Sequence, residues 1–178
     1  MMRIWKGIIM PRSASVISLA VLLVTVSVQQ GVIRPKKGEL MYKKVTTNIM
    51  VDNVNETLGF YERVLGFAMV MAVPEDSQDA VTERDASTPL GFALVTCDEV
   101  QLMFQSRKSL AAELPQFADC PLGGSITLYV EVADTRELYE KIKDKVTILK
   151  DLHTTFYGMQ EFCVRDCNGY VLTFASRQ

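Results

Sequence analysis

The sequence predicts an α+β fold of two βαβββ modules that together form a curved mixed sheet around a cavity. Three observations predict it. Segments with period-two apolar alternation are interleaved with two segments of helical spacing. The order strand, helix, three strands occurs twice, over about 44–106 and 125–176. The two copies also align weakly: Val51-Asp52-Asn53 falls on Val132-Ala133-Asp134, and Val100-Gln101-Leu102-Met103-Phe104 falls on Tyr170-Val171-Leu172-Thr173-Phe174. A repeat of this size is too long for a solenoid and suggests two modules joined around one cavity.

In the first module, Val45–Val51 is rich in β-branched residues and alternates, so it reads as a strand. Asp52 or Asn53 can cap a helix over about Asn55–Leu65, with Leu58, Tyr61, Val64 and Leu65 at helical spacing and Gly66 as its stop. Phe67–Val73 is a second strand. Pro74–Pro89 is long, polar and acidic and reads as a loop. Phe92–Thr96 and Val100–Ser106 form a hairpin around Cys97-Asp98-Glu99. In the second module, Ser125–Val132 is a strand, and Asp134 caps a helix over Thr135 to about Lys145 with Leu138, Tyr139 and Ile142 on one face. Val146–His153, Met159–Arg165 and Val171–Ala175 are strands, the last two joined by a turn at Asp166-Cys167-Asn168-Gly169.

The 178 residues carry a net charge of −2, which gives no reason to expect nucleic acid. That total conceals a division. Residues 1–40 hold six basic residues and one acid, leaving 13 basic and 20 acidic residues for the rest. The early segment also holds the uncharged run Ala14–Val28, shorter than the roughly 20 residues of a membrane span. Three readings of residues 1–40 stay open: a secretory signal or anchor, an upstream extension of a domain whose translation starts at Met41, and a genuine N-terminal helix. Residues 41–178 are the folded domain on each of them. The cytoplasm is the expected compartment, with export or membrane anchoring as the alternative if the leader is genuine. No CxxC pair is present, so the four Cys read as reduced thiols; His153, as the single His, excludes a multi-His metal centre.

The stretch Val51-Asp52-Asn53 with Phe60-Tyr61-Glu62-Arg63-Val64-Leu65-Gly66-Phe67, and later Tyr157-Gly158-Met159-Gln160-Glu161-Phe162 with Arg165-Asp166-Cys167-Asn168-Gly169-Tyr170-Val171-Leu172, resembles the vicinal-oxygen-chelate superfamily. That superfamily includes glyoxalase I, extradiol dioxygenases and fosfomycin- and bleomycin-resistance proteins. The resemblance spans about Met41–Ser176. It implies paired βαβββ modules, often in a dimer that shares or flanks the cavities, so a homodimer is expected. Metal-using members take His or Glu ligands from the first and last strands of each module. Those positions fall on Thr46, Met103, Thr127 and Thr173, none of them a first-choice ligand for a divalent ion. The resemblance therefore implies a metal-free, bleomycin-resistance-like member, with no metal site, no cofactor and no catalytic residue.

Alternation divides the strands into two faces. Val45, Ile49, Val51, Ile126, Leu128, Val130, Leu102, Phe104, Leu172 and Phe174 are expected to face the helices. The opposite face carries Thr46, Asn48, Met50, Gln101, Met103, Gln105, Thr127, Tyr129, Val171 and Thr173, a mixture of hydroxyls, amides, thioethers and a ring that suits a medium-sized organic ligand. The ligand-binding candidates are Thr46, Asn48, Gln101, Met103, Thr127, Tyr129, Tyr157 and Thr173. His153 reads as a rim residue rather than a general base, Glu161 as a structural partner, and the acidic loop (Glu75, Asp76, Asp79, Glu83, Asp85) as a solvated surface. The expected function is sequestration of a small organic drug or metabolite, with no membrane partner for the domain. A cationic antibiotic of the bleomycin type is one candidate through the resemblance. The alternative is a lyase, isomerase or dioxygenase-like enzyme of the same superfamily with a non-standard site.

Overall fold

The computed structural model describes residues 42–85 and 87–177. The chain divides between Lys44 and Val45, and every regular element below belongs to the later unit. The apolar run Ala14–Val28 and the Met41 start lie outside the described residues. Among the described residues no helix is long and apolar enough to cross a membrane.

The first module runs β1 (Thr47–Val51), α1 (Val54–Leu65), β2 (Ala68–Pro74), β3 (Leu90–Cys97) and β4 (Val100–Ser106). Its sheet has the order β1-β4-β3-β2. The helix carries the chain from β1 to the far edge, and the meander β2-β3-β4 brings it back, so that β4 lies parallel to β1 and the other pairs are antiparallel. The second module repeats this with β5 (Thr127–Glu131), α3 (Thr135–Ile142), β6 (Thr147–Thr154), β7 (Met159–Arg165) and β8 (Val171–Arg177) in the order β5-β8-β7-β6. The repeat extends to register: Thr47 pairs with Leu102 and Leu128 with Leu172, so Asn48 and Tyr129 occupy equivalent places, as do Met103 and Thr173. The fold is α+β, with two four-stranded mixed sheets and no closed barrel.

Local chemistry sets the element ends. The Asn53 side chain accepts from Glu56 N, and Asp134 does the same for Glu137 N, which meets one orphan donor at each helix start. Gly66 ends α1 at φ 77°, a left-handed conformation that costs glycine little. Helix α3 stops at Ile142, short of the expected Lys145, where the chain enters a turn before β6. The first strand of each module also starts two residues later than the sequence suggests. Val45 is 89% exposed and Ile126 44% exposed, so neither joins the helix-facing set; both precede the strand and have no ladder partner to hold them on a face.

The rest of that set is packed. Ile49, Val51, Leu102, Phe104, Leu172 and Phe174 are buried, with Leu128 and Val130 packed against them. One apolar cluster runs through both modules and includes Tyr61, Phe104, Ile142, Phe162 and Phe174. Each large side chain fully buried there contributes roughly 1.5–3 kcal/mol. Polar contacts align the modules. Tyr61 Oη donates to Asp166 Oδ2 at 2.9 Å, Asn168 Nδ2 to Thr57 Oγ1 at 3.0 Å, and Tyr170 Oη to Met50 O at 2.9 Å.

The segment between modules, to which the sequence assigned no element, is structured. Helix α2 (Arg107–Glu113) starts at Ser106, whose hydroxyl accepts from Ser109 N, and a 3-10 turn follows over Pro115–Phe117. Arg107 ties this segment down: Nε donates to Asp52 Oδ1 at 3.1 Å and Nη1 to Cys120 O at 2.6 Å. Gly123, at φ 72°, comes so close to the β7–β8 turn that a Cβ there would stand 2.5 Å from Gly169 O.

Candidate ligand-binding site

Two polar groupings lie on the faces turned away from α1 and α3. On the first sheet, Asn48 and Met103 are register partners on adjacent strands. Asn48 Nδ2 donates to Gln105 Oε1 at 2.7 Å, and Gln105 Nε2 donates to Ser109 Oγ at 3.0 Å. Gln101 pairs with Thr96 in the β3–β4 hairpin, and Thr46 is half-buried just before β1. The amides are thus fixed by one another and by α2.

On the second sheet, Tyr129 and Thr173 are register partners, as are Thr173 and Cys163, and Cys163 Sγ lies 3.3 Å from Thr173 Oγ1. Thr127 pairs with Val171 at the near end of β5 and is exposed. Tyr129 and Tyr157 both donate to Glu161 Oε1 at 2.8 Å. Glu161 itself is buried, whereas the two rings remain 51% and 44% exposed. Both phenols are pushed above their ordinary range, by desolvation first and then by the hydrogen bond to the Glu161 carboxylate. They therefore stay protonated donors at neutral pH. His153 pairs with Glu161 across β6 and β7, its Nδ1 lies 2.9 Å from Asp151 O, and its buried Nε2 has no hydrogen-bond partner among the described residues. With a carbonyl as its partner, Nδ1 is the donor in that contact.

A cavity of about 540 Å³ opens beside β1. Thr47, Asn48, Ile49 and Met50 form one wall, Leu110, Leu114 and Phe117 another, and Ser125, Ile126 and Tyr170 the third. Of the eight ligand-binding candidates only Asn48 lines it. Thr46, Gln101, Met103, Thr127, Tyr129, Tyr157 and Thr173 lie elsewhere; Tyr129 and Tyr157 are brought together on Glu161, with Thr173 beside Tyr129. The linker wall escaped the sequence reading, although Leu110, Leu114 and Phe117 fall at the i, i+4, i+7 spacing of an apolar helix face.

The donor set at the ligand positions implied for metal-using relatives does not fit a metal. Register places Thr127 and Thr173 on neighbouring strands and Met103 beside Asn48, which offers hydroxyls, an amide and a thioether where carboxylates or imidazoles are required. Among the described residues no group of three or more His, Cys, Asp or Glu could hold an ion. In the acidic loop Asp76, Asp79, Glu83 and Asp85 are exposed, and Lys108 lies 3.2 Å from Asp76 and 3.7 Å from Glu75.

Two βαβββ modules, each with its first and last strands parallel and joined through one core, define the architectural class of this chain. The chain belongs to the glyoxalase/bleomycin resistance protein/dioxygenase superfamily, whose family model matches residues 44–174. Solved structures share the fold. A protein of unknown function from Agrobacterium tumefaciens is 18% identical with a TM-score of 0.59, over 80% of this chain and 99% of that one. A superfamily member from Sphaerobacter thermophilus is 20% identical with a TM-score of 0.57, over 76% and 98%. The bleomycin-binding protein of Streptomyces verticillus, solved with copper(II)-bleomycin, is 18% identical with a TM-score of 0.51, over 79% and 100%. No curated protein matches the chain in sequence.

Proposed function

We propose that the domain binds and sequesters a small organic molecule, using the sheet faces as a binding surface and no metal. The observation that carries this reading is the pair Tyr129 and Tyr157. Large amphipathic rings left half open to solvent, yet fixed in orientation by one buried carboxylate, form a ready platform for stacking. Thr173 adds a hydroxyl beside them, and Asn48 offers an amide to the separate cavity beside β1. The unfit donor set at the metal positions supports binding rather than metal chemistry, and a structural relative in Streptomyces verticillus is a bleomycin-binding protein. A homodimer is the proposed assembly.

Thermal-shift screening of the purified chain against drugs and metabolites tests this. A true ligand at a hundredfold excess over its Kd stabilises by about 2.7 kcal/mol, and Tyr157→Ala removes that gain. Metal analysis of the same sample runs alongside. Stoichiometric Zn, Ni, Mn or Fe would overturn the metal-free reading.

A further inference from the structure

We infer that Glu161, flanked by Tyr129 and Tyr157, is an anchor for an organic ammonium group on the ligand. This rests on the reading of the second sheet's open face as the binding surface, and adds to it the charge of what is bound.

Four features of the geometry support the assignment. First, Glu161 is 7% exposed, and a carboxylate so placed needs compensation. Both phenols converge on Oε1 alone, at 2.8 Å each. Among the described residues no hydrogen bond reaches Oε2. One lone-pair edge of a nearly buried carboxylate is thus free to take a hydrogen-bond donor.

Second, none of the ion pairs among the described residues includes Glu161. Lys150, Arg165 and Arg177 belong to the same sheet and are exposed, and they pair in register with Cys163, Val171 and Met159 rather than with Glu161. These three cations and His153, the register partner of Glu161, share its face, yet among the described residues none forms an ion pair with it. Third, Glu131 and Glu161 share one register row through Ala175, which adds a second carboxylate to the same face as Tyr129. Fourth, the walls are aromatic. Tyr129 and Tyr157 stand open beside the carboxylate, and Phe156, 75% exposed, meets Tyr157 edge-on with centroids 4.9 Å apart. A carboxylate at the hydroxyl ends of two open rings favours an ammonium over a neutral group, because the ring faces and the carboxylate attract the same charge.

The test uses two probes that share a fluorescent ring: dansylcadaverine, which ends in a primary ammonium, and its neutral counterpart N-butyl dansylamide. Each is titrated into the full chain at about pH 7.5. Wild type is expected to bind the ammonium probe about tenfold more tightly than the neutral one. Glu161→Gln, which keeps an oxygen to accept both phenols and so preserves the fold, is expected to bind the two probes equally. Circular dichroism of the variant checks its fold, and the comparison of probes on wild type needs no variant. Equal binding of both probes by wild type, or a preference that survives in Glu161→Gln, would overturn the ammonium anchor and leave the binding surface standing. No binding of either probe would overturn both.

Discussion

Removing the Tyr61 hydroxyl should loosen the joint between modules in a pH-dependent way. Tyr61 is fully buried and Asp166 is 6% exposed, and their 2.9 Å hydrogen bond links α1 of one module to the β7–β8 turn of the other. Asp166 also accepts from Asn168 N at 2.9 Å and Tyr170 N at 2.8 Å, so Tyr61→Phe takes away one of three donors and leaves the carboxylate in place. A hydrogen bond to a buried charged acceptor contributes about 1.5–3 kcal/mol. For a domain of this size about 2 kcal/mol corresponds to a Tm loss on the order of 5–10 °C.

The pH dependence follows from the carboxyl group. Burial raises the Asp166 pKa above its ordinary value, and the Tyr61 hydrogen bond opposes that rise. A carboxyl raised in the folded state binds more protons folded than unfolded. Its penalty on stability is therefore absent below the ordinary carboxylate pKa and grows as pH rises through the folded value. Tyr61→Phe raises the folded value further. The stability gap between variant and wild type should then be widest at neutral pH and narrow as acid protonates Asp166. Urea denaturation at about pH 7 and about pH 4.5 measures both gaps. Equal gaps at the two pH values, or none at neutral pH, would refute the reasoning.

Phe162→Ala should cost about 3–5 kcal/mol in the same denaturation assay, since the ring is fully buried between Phe174 at 5.3 Å and Tyr139 at 5.2 Å. Gly123→Ala should destabilise the joint through its contact with Gly169 O and through the left-handed backbone; hydrogen exchange would show faster opening of the β7–β8 turn than in wild type. Asn53→Ala should cost about 1 kcal/mol by removing the cap of α1, read from the thermal midpoint. In Glu161→Gln the Tyr129 phenol should titrate at lower pH than in wild type, because the charge that holds its proton is gone; ultraviolet absorbance of the phenolate follows it.

Much of the fold was legible because the signals are local. Alternation at 49–51 and 102–104, the caps Asn53 and Asp134, and Gly66 act within a few residues, so β4 and β7 fall on their expected bounds and α1 starts within one residue. The signals weakened where a neighbour decides. Val45 and Ile126 continue the alternation in sequence but lie beyond the paired stretch, and only ladder partners determine where a strand begins. The region 107–126 carries short, mixed signals, and it becomes a wall because Arg107 bonds Cys120 O and Gly123 docks on Gly169.

The sequence by itself determined the α+β class, the twofold repeat, the family resemblance and the want of good metal ligands at Thr46, Met103, Thr127 and Thr173. Those are matters of residue type and short-range spacing. Tertiary structure alone decided what Glu161 contacts. Its carboxylate lies 32 residues from Tyr129 in the chain, yet receives the hydroxyls of both Tyr129 and Tyr157 once β5, β8 and β7 are laid side by side. Strand pairing joins residues by register rather than by distance along the chain, and so only the fold names the two tyrosines that Glu161, a structural partner in the sequence reading, holds by hydrogen bonds.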